Sequence, residues 1–205
     1  TYSFSHNIAK TPEEAEREYD LLSEVYDLAL TERDYRPPED ASSMLADFVD
    51  PATAKVLDAG CGTGLLGPKL QEKGIKEITG MDISSKCLKE AEKKNAYNRT
   101  VKQNILEPLP CDKDSFDAVV CVGVFSRFND KQILSILNEF ARITRKRGII
   151  LFSHRIDLLE SSNLTGQIKR SELFRLQYTS EPYKYIPGDE HYKNVFVRYF
   201  ALSVQ

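Results

Sequence analysis

The segment Val56-Leu57-Asp58-Ala59-Gly60-Cys61-Gly62-Thr63-Gly64 constrains this chain more than any other. Three alternate glycines directly after a short apolar run permit a tight turn and let a ligand approach backbone atoms that a Cβ would block. The pattern that follows tells which fold surrounds the turn. Val56-Leu57 reads as a strand, Leu65 to Lys73 as a helix and Ile78 to Met81 as a second strand. A helix capped by Ser84 or Ser85 then carries Leu88, Ala91 and Ala96, and a brief strand lies near Val101. Phe116 to Val124, apolar and β-branched, reads as a strand buried on both faces. Ile133, Ile136, Leu137 and Phe140 mark another helix, and Gly148 to Phe152 a fifth strand. Such alternation predicts βαβ units around a parallel sheet.

On the N-terminal side, Thr11-Pro12-Glu13-Glu14 has the form of a helix start, and Tyr19, Leu22, Tyr26 and Ala29 recur at helical spacing. Pro37-Pro38 breaks the chain, and a second helix with Met44, Leu45 and Phe48 runs up to Pro51. Glu13-Glu14 and the other early acids read as a solvated helix face. Beyond Ser171, Tyr183 to Ile186, a turn at Pro187-Gly188 and Val195 to Val204 read as a closing antiparallel hairpin. The predicted fold is α/β: a doubly wound, Rossmann-like, mostly parallel seven-stranded sheet with an antiparallel C-terminal hairpin and an N-terminal helical cap. It forms one domain over residues 1–205, divided into the cap (1–50), a cofactor-binding core (51–155) and a helix with the closing hairpin (156–205).

Composition narrows the function classes. The 205 residues, 41% hydrophobic and 29% charged, suit a soluble globular chain, and no apolar stretch approaches the ~18 residues of a membrane span. A net charge of −3 supplies no positive field to recruit nucleic acid, although the first fifty residues are strongly acidic and the rest net basic. The four cysteines form no C-x-x-C pair and have no histidine at metal spacing, so neither a metal centre nor a disulfide framework is expected. TYSFSHNIAK contains no signal-peptide core, which favours the cytoplasm, while Thr1 in place of Met allows for a removed upstream segment.

Eighteen residues past Gly64, Asp82 closes the second strand, where a carboxylate takes the hydroxyls of a ribose. A nucleoside-containing ligand follows. A dinucleotide fingerprint begun at Gly60 fails at Leu65; begun at Gly62 it fits through Gly64 and Gly67, but leaves Asp58 beside a pyrophosphate. Like charges a few ångströms apart in a partly buried cleft cost of order a kcal/mol or more. A ligand bearing an ammonium and a sulfonium would welcome Asp58 instead.

VLDAGCGTG followed by ITGMDIS resembles the first two motifs of class I S-adenosylmethionine-dependent methyltransferases. The likeness continues through QNILEPLP, FDAVVCVGVFSRF and RGIILFSH, over residues 55–154. YDLLSEVYD and DYRPP resemble a narrower group, that of the Williams–Beuren chromosome region methyltransferase-like protein. The resemblance implies S-adenosylmethionine as cofactor and S-adenosylhomocysteine as product. It implies that Asp58 and the backbone at Gly60 hold the methionine ammonium, with Gly62 and Gly64 shaping the turn beneath. Asp82 would take the ribose hydroxyls, with Ile83 against the adenine. Asn104 stands where the family usually has an acid, and would accept from the adenine amine through its amide oxygen, beside Ile105. Val122 and Gly123 would run along the methionine tail, and Tyr26 would be a lid residue.

The acceptor pocket is expected past strands four and five, closed by the N-terminal helices and the late hairpin. Ser126-Arg127, His154-Arg155, Tyr183, Tyr185 and His191 are its candidate groups. His154 is the candidate general base, and Arg127 and Arg155 are candidate partners for an acidic acceptor group. No Asn/Asp-Pro-Pro-aromatic motif and no glutamate pair follows the fourth strand. A small-molecule acceptor is therefore expected. Alternatives are a protein side chain as acceptor, a cofactor-binding scaffold without turnover, and a nicotinamide oxidoreductase.

Overall fold

The computed structural model of the chain describes residues 11–205, apart from the side chains of residues 22 and 24–26. Thr11 is extended, and its side chain accepts from the Glu14 N–H at 3.2 Å, so α1 (Pro12–Thr31) starts where the Thr-Pro-Glu-Glu signature predicts. Pro37 and Pro38 start a helix rather than only breaking the chain. They stand in the first turn of α2 (Pro37–Ala46), where a missing N–H costs no hydrogen bond. The helix ends at Ala46, short of Pro51, with Phe48 in the turn beyond it.

From there strand and helix alternate: β1 (Lys55–Ala59), α3 (Leu66–Glu72), β2 (Glu77–Asp82), α4 (Ser85–Lys93), β3 (Arg99–Lys102), β4 (Phe116–Cys121), a 3-10 turn (Phe125–Arg127), α5 (Asp130–Ile143) and β5 (Thr144–Arg155). These five strands are parallel throughout. After the short helices α6 (Ile156–Leu159) and α7 (Leu164–Lys169) come β6 (Phe174–Thr179), β7 (Tyr183–Lys184) and β8 (Phe196–Val204). The order across the sheet is β3-β2-β1-β4-β5-β8-β6, with β8 antiparallel to both neighbours and β7 paired only to β8. Strand order reverses between β1 and β4, which opens a crevice at their carboxyl ends.

The predicted hairpin exists as β7 with β8, but the strand that extends the sheet is β6, which the sequence reading left unassigned. Phe174 is buried there while four of the other five residues are exposed, so this edge strand carries little of the apolar signal a central strand shows. β4 stops at Cys121 rather than Val124 because the chain turns at Gly123 (φ 76°) into the 3-10 turn.

Alternation along the strands builds two apolar layers. Leu57, Val119, Ile150, Phe152 and Phe200 face Phe140 of α5 and Ile168 of α7. Val56, Val120, Leu151 and Tyr199 face Ala41 and Leu45 of α2 and Leu70 of α3. Each large apolar side chain so buried contributes roughly 1.5–3 kcal/mol, and the sheet is anchored from both sides.

Candidate functional site

The carboxyl ends of β1, β2 and β4 meet at the glycine loop. Gly60 and Gly64 stand at φ 76° and 84°, and a Cβ on either would lie 2.5 Å from Val124 Cγ2 or 2.7 Å from the Ala91 Cβ. Both positions therefore require glycine for backbone freedom and for space. The loop is tied down by Asp82, which is 8% exposed. Its Oδ2 accepts from the Gly62 N–H and its Oδ1 from the Ser84 N–H, both at 2.8 Å. Burial raises the Asp82 pKa and these N–H groups oppose the shift. Asp82 thus fastens the glycine loop to the end of β2, a role its spacing did not reveal.

Two adjoining cavities open over the loop. The larger, about 230 Å³, is lined among others by Asp82, Ile83, Asn104, Ile105, Val122 and Gly123. The smaller, about 60 Å³, has Asp58 at its wall beside Pro38, Leu65 and Leu66. Tyr35, Gly60, Gly62, Thr63 and Val122 line both, so the cavities meet above the turn. Of the cofactor residues expected from the sequence, Asp58, Gly60, Gly62, Asp82, Ile83, Asn104, Ile105, Val122 and Gly123 come together on this one surface. Gly64 lies behind it against α4, and the side chain of Tyr26 lies outside the described residues.

Asn104 also serves the local backbone. Its Oδ1 already accepts from the Leu106 N–H at 3.0 Å, closing a local turn. That bond uses one lone pair of Oδ1, so its second lone pair and the amide nitrogen are both left for a ligand.

His154 does not reach the site. Strand parity places it on the same face of β5 as Ile150 and Phe152, toward the α5 layer, and it lines neither cavity. It is 5% exposed, its Nδ1 lies 3.1 Å from the Arg155 oxygen, and burial lowers its pKa. Ser153, facing the other way, accepts from the Gly123 N–H at 3.0 Å. The general-base role expected of His154 therefore has no geometric support. Arg155 is turned to Asp157 at 2.6 Å, and His191 is exposed. Arg127 does line the larger cavity, with its guanidinium paired to both oxygens of Glu18 at 3.2 and 3.3 Å and lying 4.8 Å above the Tyr19 ring.

Glu13 and Glu14 are exposed, as expected of a solvated face, but other early acids are engaged with the core. Asp27 accepts from Lys94 Nζ at 2.6 Å and from the Thr63 hydroxyl of the glycine loop, and Lys94 also reaches the Thr63 carbonyl at 2.6 Å. Asp20, seven residues earlier on the same helix, accepts from the Ser84 hydroxyl at 2.5 Å at the start of α4. Glu16 pairs with Lys102 at 2.6 Å. The signal was present in the i, i+7 spacing of Asp20 and Asp27, which puts both on one side of α1. Sequence reasoning also passed over Tyr19, Tyr35 and Gln103, which line the larger cavity, and Tyr97, which bonds Asp58.

A family model described as a methyltransferase domain matches residues 56–148. The chain is 32% identical over 152 residues to methyltransferase-like protein 27 of Homo sapiens, covering 71% of this chain and 58% of that protein. It spans about half, or less, of the length of the first curated relatives it matches. Among solved structures it is similar to the cyclase SpnF (TM-score 0.72, 13% identity, 95% of this chain and 96% of that one). It is also similar to the magnesium protoporphyrin IX methyltransferase of Synechocystis PCC 6803 with bound S-adenosylhomocysteine (TM-score 0.58, 18% identity, 82% and 83%). The two structures show the fold, which hosts more than one chemistry. The relatives in sequence, the family model and the glycine loop with its two acids together go further and support a class I S-adenosylmethionine-dependent methyltransferase.

Proposed function

We propose that this chain transfers the methyl group of S-adenosylmethionine to a small-molecule acceptor. The observation that carries the reading is the pair of cavities joined above the glycine loop, with Asp58 at one end and Asp82, Ile83 and Asn104 at the other. This distribution fits a cofactor with a cationic amino-acid tail, a ribose and a base. Asp58 would receive the ammonium, and the second lone pairs of the Asp82 oxygens would receive the ribose hydroxyls. Ile83 and Ile105 would flank the adenine, whose amine and ring nitrogens match the acceptor and the donor left on Asn104. Val122 and Gly123 would border the tail, and Tyr35 stands where the two cavities meet.

The cofactor supplies a methyl carbon already activated by its sulfonium. The protein's part is then to exclude water, bring the acceptor atom to ~3–3.5 Å in line with the breaking bond, and leave room for a departing proton. α1, with Thr11, Pro12, Ala15 and Tyr19 on the cavity wall, covers the site from above. That enclosure supports a small acceptor over a folded protein surface, and the porphyrin named for the Synechocystis enzyme is a small molecule too. With His154 turned away, the reading relies on proximity and orientation rather than on an imidazole base.

The test is thermal melting with S-adenosylmethionine, S-adenosylhomocysteine and NAD. A ligand at ~100 times its Kd stabilises by ~2.7 kcal/mol and moves the midpoint by several degrees. Shifts with the first two and none with NAD are expected. Label from the methyl group should then appear in a fraction of small metabolites; transfer only to protein would overturn the acceptor class.

A further inference from the structure

Tyr97 sits in the connection between α4 and β3, outside every motif that marks the cofactor site. Glycines make room for its ring. A Cβ on Gly64, Gly67 or Gly80 would stand 2.9, 2.7 or 2.9 Å from a ring carbon. Its hydroxyl accepts from the Gly67 N–H at 3.1 Å and donates to Asp58 Oδ2 at 2.7 Å. The phenol has one proton, and with its oxygen occupied by the Gly67 N–H that proton is directed at the carboxylate.

Asp58 needs the help. It is 2% exposed, and among the described residues the titratable groups around it are Tyr97, Cys61 of the glycine loop, Cys121 of β4 and Asp82 of β2, none of them a cation. We propose that Tyr97 is a positioning residue for cofactor capture, which holds Asp58 ionised by one oxygen and turns the other toward the ammonium of the methionine tail. This rests on the reading above that the smaller cavity takes that tail. The surroundings agree: burial pushes Asp58 up to about 7, the Tyr97 bond pulls it back, and Asp82 raises it. Below that pH the unliganded carboxyl holds a proton and attracts the ammonium poorly, so capture weakens as pH falls. Without the Tyr97 proton the same loss sets in at higher pH.

The experiment measures Kd by calorimetry between pH 6 and 8.5 for two probes, S-adenosylhomocysteine and 5′-methylthioadenosine, which keeps the nucleoside and thioether but has no ammonium. Wild type is expected to bind the first more weakly at pH 6 than at pH 8.5 and the second equally at both. Tyr97→Phe, which keeps the ring in its glycine seat, should lose about tenfold for S-adenosylhomocysteine at pH 7, the scale of one hydrogen bond to a charged group. Part of that affinity should return at pH 8.5, with little change for methylthioadenosine. Equal loss for both probes, or no loss for either, would overturn the proposal. If Tyr97→Phe does not fold, Tyr97→His supplies a donor again and wild-type proton release decides: binding of S-adenosylhomocysteine below pH 7 must release protons and binding of methylthioadenosine must not. Failure of wild type to bind either probe would instead refute the cofactor reading itself.

Discussion

The two cap helices lie side by side in sequence and are attached to the core in opposite ways. α2 is docked by apolar burial, with Ala41 and Leu45 fully enclosed against the sheet and α3. α1 is docked largely by charge: Glu16, Glu18, Asp20 and Asp27 reach Lys102, Arg127, Ser84 and Lys94. Two of its leucines face solvent, Leu21 at 76% and Leu28 at 64% exposure. Apolar packing is insensitive to salt and lost only on unfolding, whereas half-exposed ion pairs are each worth ~0–1 kcal/mol and are screened. α2 is held by the core, whereas α1 is held by screened charges except near its C-terminus, where Leu30 is buried with Ile186 and Tyr192.

Leu45→Ala should have the largest effect, because a cavity would open where α2 packs against the sheet. A loss of ~2–5 kcal/mol is expected in denaturant unfolding. An effect under 1 kcal/mol would show that α2 is as loosely held as α1. Asp82→Ala strips the partners from the Gly62 and Ser84 N–H groups as well as from the proposed ribose, and should weaken binding of S-adenosylhomocysteine by ~1.5–3 kcal/mol. Unchanged affinity in calorimetry would leave Asp82 a purely structural tie. Removing residues 1–36 should keep the far-ultraviolet dichroism of the sheet and its melting cooperative, while cofactor affinity drops by about tenfold, or ~1.4 kcal/mol. Collapse of the fold would mean that α1 contributes to the core after all. Glu18→Gln should be the mildest, costing ~0.2–1 kcal/mol and shrinking further in high salt. Hydrogen exchange would then quicken over residues 12–31 and not over 37–46; equal change in both helices would erase the distinction.

Much of this was legible beforehand because it depends on local pattern. The glycine loop, Asp82 at the end of β2 and the central strands follow from positive φ, short spacing and two-faced burial, each visible within ten residues. β6 was missed because an edge strand keeps only one apolar face. The orientation of His154 was not legible, because which face a strand-end residue takes is set by how β5 pairs with β4 and β8 and by the layers packed on it. Tyr97 left no signal at all: its partner Asp58 is 39 positions away, and the glycines that seat it, Gly67 and Gly80, look like ordinary helix and strand residues.

By itself the sequence determined the βαβ order, the place of the turn and the two acids, Asp58 and Asp82, beside it, since those rest on backbone geometry and on local spacing. Only the tertiary structure decided which acids of α1 meet which bases, which way His154 points and what lies behind Asp58. Those are contacts between segments distant in the chain, settled when the layers pack and most buried polar groups find a partner.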